Sequence, residues 1–131
     1  MSEDKLLSSG AFADVWEQPR HAVQAMAKLE NDWDGHGSSP IGPHAIRSAL
    51  AVLDAASHQR GCEFGWAKPT SDETILMQLS LPRGVELKFE IDRDGDIGAM
   101  TKRPGQEPDF TDLVAEQVEA FFSEQADGTR D

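Results

Sequence analysis

The sequence predicts an α+β fold: two N-terminal helices joined by a Trp-Asp-Gly loop, a four-stranded antiparallel sheet, and a C-terminal helix. Apolar residues recur at helical spacing on both sides of that loop. Past Gly61 the apolar period shortens to about 2, as in strands buried on one face and wet on the other. After Pro108 a helical spacing returns. The reading places one domain at residues 11–124, a flexible N-terminus at 1–10 and a flexible tail at 125–131.

Ala11 to Trp16 reads as a short helical turn that buries Phe12 and Trp16. Pro19 starts the first full helix, where Ala22, Met26, Leu29 and Trp33 form an apolar stripe flanked by Val23. Gly35 reaches positive φ at no steric cost and caps that helix. Pro43 opens the second helix, since its missing N–H is harmless at a first helical position. This alanine-rich helix runs to Gln59 and buries Ile46, Ala49, Leu50, Leu53 and Ala56.

Strand periodicity then takes over. Cys62–Lys68 is the first strand, with Phe64 and Trp66 on one side. Ile75, Met77, Leu79 and Leu81 are the inner residues of the second, and Val85, Leu87, Phe89 and Ile91 those of the third. Pro82-Arg83-Gly84 and Asp94-Gly95 make the turns, the latter a strong hairpin signal. A fourth strand spans Asp96–Thr101, and Lys102–Pro108 is a linker. Asp109 caps the last helix. Its apolar face is Phe110, Val114, Val118 and Phe121, and its opposite face carries Asp112, Glu116 and Glu119.

The stretch Glu30-Asn31-Asp32-Trp33-Asp34-Gly35-His36-Gly37-Ser38-Ser39-Pro40 resembles the NWDGxGAxP signature of small bacterial and phage proteins. The resemblance spans Leu29 to Met100 and implies an alanine-rich helix followed by a short antiparallel sheet. The extra Asp32 and the Ser38 in place of a small alanine depart from the signature. It implies a fold and carries no activity.

A chain of 131 residues with 38% apolar and 27% charged side chains is long enough to bury a sizeable core. Its one cysteine, Cys62, excludes an internal disulfide and suits a reducing compartment. With no membrane-length apolar run and no signal-peptide core, the expected location is the cytoplasm, with no membrane association. Twelve basic against 24 acidic residues leave a net charge of −12, which argues against direct nucleic-acid binding and favours a protein partner with a basic surface. No Lys or Arg occurs between Pro104 and Thr129, where seven acids stand: Glu107, Asp109, Asp112, Glu116, Glu119, Glu124 and Asp127.

No catalytic set, cofactor motif or phosphate loop emerges from the spacing. Asp92-Arg93-Asp94-Gly95-Asp96 opens like a calcium loop, but Ile97 stands at the sharp-turn glycine and Arg103 at the bidentate Glu, so no metal is expected there. His21, His36, His44 and His58 form no ligand spacing with one another or with Cys62. The main functional expectation is a small acidic protein-binding module of inhibitor or antitoxin-like character that uses Asp112, Glu116 and Glu119. One alternative is a small-ligand binder or enzyme built on Asp32, Asp34 and His36; another is a structural subunit of a larger assembly. The sequence leaves the oligomeric state open.

Overall fold

A computed structural model describes residues 15–128. Helix α1 occupies residues 15–26, α2 Pro43–Ser57 and α3 Val118–Gly128; strands β1 to β5 occupy Glu63–Pro69, Ile75–Leu81, Val85–Ile91, Ile97–Lys102 and Asp109–Leu113. The strands form a single antiparallel meander in the order β1-β2-β3-β4-β5, one strand more than the sequence predicts.

Period-2 alternation sets the two faces. Ile75, Met77, Leu79 and Leu81 on β2 and Val85, Leu87, Phe89 and Ile91 on β3 are buried, and they share one core with Ile97, Ala99 and Leu113. The helices cover that face: Trp16, Val23 and Met26 of α1, Ala49, Val52, Leu53 and Ala56 of α2, and Val118, Phe121 and Phe122 of α3 join the same cluster. Phe89 meets Phe121 edge-on at 6.0 Å and lies 5.7 Å from Phe122, so three rings anchor α3 to the middle of the sheet. Aromatic pairs in such geometry add about 0.5–1.5 kcal/mol beyond their area burial.

Helix α2 begins as the sequence predicts, with Pro43 in its first turn after Gly42. Helix α1 departs from the expectation at both ends. It is already helical at Val15, so Pro19 lies inside it and is buried, while Ala22 is exposed. It stops at Met26, where Ala27, Lys28 and Leu29 donate to carbonyls three residues back and tighten the last turn. Asn31, Asp32 and Asp34 follow, short polar side chains that compete with helical hydrogen bonding. Leu29 and Trp33 are therefore half-buried loop residues, and Gly35 is not a helix cap. Phe12 and the expected turn at Ala11, like the N-terminus at 1–10, lie outside the described residues.

The C-terminal region needs the larger correction. Residues expected in the first turn of a helix form edge strand β5, which pairs along β4 from Asp109↔Thr101 to Leu113↔Ile97. Helix α3 starts only after a tight turn at Ala115–Gln117, where the Gln117 side chain accepts the Val114 N–H at 3.0 Å; Asp109 caps nothing. Phe110 and Val114, assigned to the apolar face, are 76% and 43% exposed. Helix α3 runs on to Gly128, past the boundary expected at 124. Arg103 holds its C-terminal turn by donating to the Gln125 carbonyl at 3.3 Å and to its side chain at 3.0 Å.

Phe64 and Trp66 do not share a side. A bulge between them, at Gly65, turns Phe64 toward the core and Trp66 away from it. A Cβ on Gly65 would stand 2.8 Å from the Gln78 carbonyl oxygen, so the bulge needs glycine. Among the described residues no helix is long and apolar enough to cross a membrane.

Candidate functional site

The Trp-Asp-Gly loop is stitched together by its own acids. Asp34 accepts the His36 N–H at 2.9 Å, the Ser38 N–H at 3.4 Å and the Ser38 hydroxyl at 2.5 Å. Asp32 accepts the Gly37 N–H, its own N–H donates to the Ser38 carbonyl at 2.7 Å, and the Trp33 indole N–H donates to the Ser39 carbonyl at 2.7 Å. Gly35 and Gly37 take φ of +75° and +82°, which their lack of a Cβ permits. The Ser38 hydroxyl, then the His36 N–H, holds the Asp34 carboxyl below its ordinary value. Both oxygens of Asp34 are occupied within the loop, and His36 is exposed beside it.

The sheet face turned away from the helices is a different surface. Cross-strand register aligns Trp66, Gln78, Lys88, Met100 and Phe110 in one row across all five strands. The next row is Lys68, Leu76, Glu90, Gly98 and Asp112. Trp66 is 39% exposed and carries the Lys68 ammonium 5.2 Å above its ring; Phe110 is 76% exposed. A contiguous apolar patch left open on a sheet face marks an interaction surface.

Gly98 gives this face its relief. It stands between Glu90 and Asp112 with no side chain of its own, and an added Cβ would meet nothing closer than the Glu90 carbonyl at 3.8 Å. Two depressions of about 490 and 500 Å³ adjoin here and share Glu90, Gly98 and Asp112. One continues to Met100 and Phe110, and the other to Asp92 and Asp96. An apolar patch thus grades into a notch rimmed by four carboxylates. Arg93, the nearest cation in sequence, turns away to Glu73 at 3.8 Å.

Asp92 accepts the N–H groups of Asp94 and Asp96 at 2.9 and 3.0 Å, which ties the β3–β4 hairpin turn. That turn packs on α2, where the Ser48 hydroxyl donates to the Gly95 carbonyl at 2.6 Å.

The three acids expected on one helix face are dispersed. Asp112 lies on the open face of β5, Glu116 on the tight turn before α3, and Glu119 in the first turn of α3. Glu119 reaches across to α2, where its carboxylate lies 2.7 Å from Nδ1 of His58. Asp54, one turn before His58, completes a group whose donor atoms all lie within 4.8 Å of one another. Sequence spacing missed this group because Glu119 is 61 residues from His58; only the Asp54–His58 spacing of four was visible. No family model, curated protein or solved structure matches this chain.

Proposed function

We propose that the chain is a protein-binding module whose partner docks on the uncovered face of the sheet. The observation that carries this reading is the coincidence of exposed apolar residues with the acid-rimmed Gly98 notch on one continuous surface. The matching partner surface is apolar where it meets Trp66, Leu76, Met100 and Phe110, and presents an Arg or Lys to Glu90 and Asp112. The net charge of −12 speeds the approach of such a basic partner and repels nucleic acid. An inhibitor-like role, with carboxylates occupying a groove built for phosphates, is the specific form this reading takes.

The alternative of a ligand site at Asp32, Asp34 and His36 has less support, because the loop's own donors occupy those carboxylates.

Gly98→Thr tests the reading. An added Cβ there meets nothing closer than 3.8 Å, and a β-branched residue suits a strand. Affinity capture from the native host at low and high salt should yield a basic partner with the wild-type chain, and lose it with Gly98→Thr and with Trp66→Ser/Phe110→Ser. Capture of the same partner by all three chains would overturn the proposal.

A further inference from the structure

The seam between α2 and α3 carries a donor set unrelated to the open sheet face. Asp54 on α2 and His58 at its C-cap stand four residues apart, so they project from one side of the helix. Glu119 approaches from α3, next to the buried Val118. The backbones that carry these groups are fixed. The His58 N–H donates to the Ala55 carbonyl at 3.2 Å and the Gln59 N–H to the Ala56 carbonyl at 3.0 Å, which closes α2, and Phe121 and Phe122 lock α3 onto the sheet. The side chains themselves are 55–63% exposed and free to adjust.

We propose that Asp54, His58 and Glu119 bind a divalent transition-metal ion of the zinc class, bridging the two helices. One imidazole and two carboxylates suit zinc and its neighbours, whereas calcium and magnesium require an all-oxygen shell. Ligands at about 2.0–2.1 Å from a tetrahedral ion stand about 3.4 Å from one another. The 2.7 Å His58–Glu119 approach must open slightly and the longer distances, up to 4.8 Å, must close. Three protein ligands leave one position for water. Arg20 lies 3.9 Å from Asp54 and competes with the ion for that carboxylate, so it sets the affinity below that of a closed structural site.

Titration calorimetry of the full chain with zinc chloride tests this. One zinc per chain is expected, weakened at least about tenfold by His58→Gln and by Glu119→Gln. Asp94→Asn and His36→Gln, away from the seam, should leave binding intact, and Arg20→Ala should tighten it. Because the ion joins two helices of the native state, zinc should also raise the Tm of the wild-type chain and not that of His58→Gln. That second measurement separates a lost ligand from a lost His58–Glu119 hydrogen bond, whose absence lowers Tm without zinc. Absence of saturable binding, binding unchanged in His58→Gln, or loss on Asp94→Asn or His36→Gln would each overturn the proposal.

Discussion

Trp66 and Phe110 stand at opposite edges of the sheet, on β1 and β5, yet register places them in the same transverse row with Gln78, Lys88 and Met100 between them. Four strand spacings separate them, about 19 Å. The width suits one helix or loop of a partner laid across the strands. Neither aromatic belongs to the core cluster, so surface role and stability are separable at these residues.

Phe110→Ser should therefore shift stability by no more than about 0.5 kcal/mol. Phe122→Ala, which removes a fully buried ring packed on Phe89, should cost about 3–5 kcal/mol. Urea unfolding of the two variants measures the contrast. A large loss in Phe110→Ser would mean that the open face is covered by the chain itself.

Asp34 supplies a prediction with a direction in pH. Its carboxyl lies below the ordinary value because the Ser38 hydroxyl and the His36 N–H favour the charged form. A lowered folded value means a stabilising contribution that is present above the unfolded value and lost as pH falls through the folded one. The loop should keep its order at about pH 5 and loosen only in stronger acid. Asp34→Ala should speed amide hydrogen exchange at His36 and Ser38 at neutral pH, and remove the acid dependence of their protection relative to the intrinsic exchange rate.

Cys62 predicts the opposite direction. Burial, reinforced by the charge of Glu63, pushes its thiol up from 9.0 to about 12. The thiolate is the reactive form, so a thiol reagent should react slowly with the native chain at neutral pH and rapidly in urea. A raised value means that stability is whole below the unfolded value and declines as pH rises from about 9 toward 12. The chain has no tyrosine, and its lysines are common to both chains being compared. Comparing unfolding midpoints at neutral and alkaline pH should show a steeper decline in the wild type than in Cys62→Ala.

What the sequence revealed divides by physical cause. Strands β2 and β3 were legible because one face is buried and the other wet, which writes a period of 2 into Ile75–Leu81 and Val85–Ile91. The turns at Pro82–Gly84 and Asp94-Gly95 were legible because their backbone conformations select residue types, with Gly84 and Gly95 at φ of +77° and +89°. Strand β5 was hidden because four of its five residues are exposed, so no alternation marks it. Backbone pairing to β4 holds it in place, and side-chain spacing does not encode such pairing. Phe110, Val114 and Val118 happen to recur every four residues and imitate a helix. The bulge at Gly65 was equally silent: it moves Trp66 to the open face without altering composition. The open face itself was missed for these two reasons together, since its two exposed aromatics sit on the misread strand and beyond the misread bulge.

The dispersal of the acidic residues gives the last prediction. On one helix face, Asp112 and Glu119 would repel each other and act on one partner surface. In the structure Asp112 rims the Gly98 notch, while Glu119 faces His58 across the α2–α3 seam. Substitutions at the two positions should therefore be independent. Glu119→Gln weakens an exposed hydrogen bond to His58, and such surface contacts are worth about 1 kcal/mol or less, so a small drop in the urea midpoint is expected. Asp112→Asn removes one of the like charges gathered with Glu90, Asp92 and Asp96, so stability should hold level or rise. The double variant should show the sum of the two effects, within about 0.5 kcal/mol. For a captured basic partner, Asp112→Asn should slow association and flatten its dependence on ionic strength, while Glu119→Gln should leave both unchanged. A strong coupling between the two positions, or equal effects of both on the association rate, would return Asp112 and Glu119 to one shared surface.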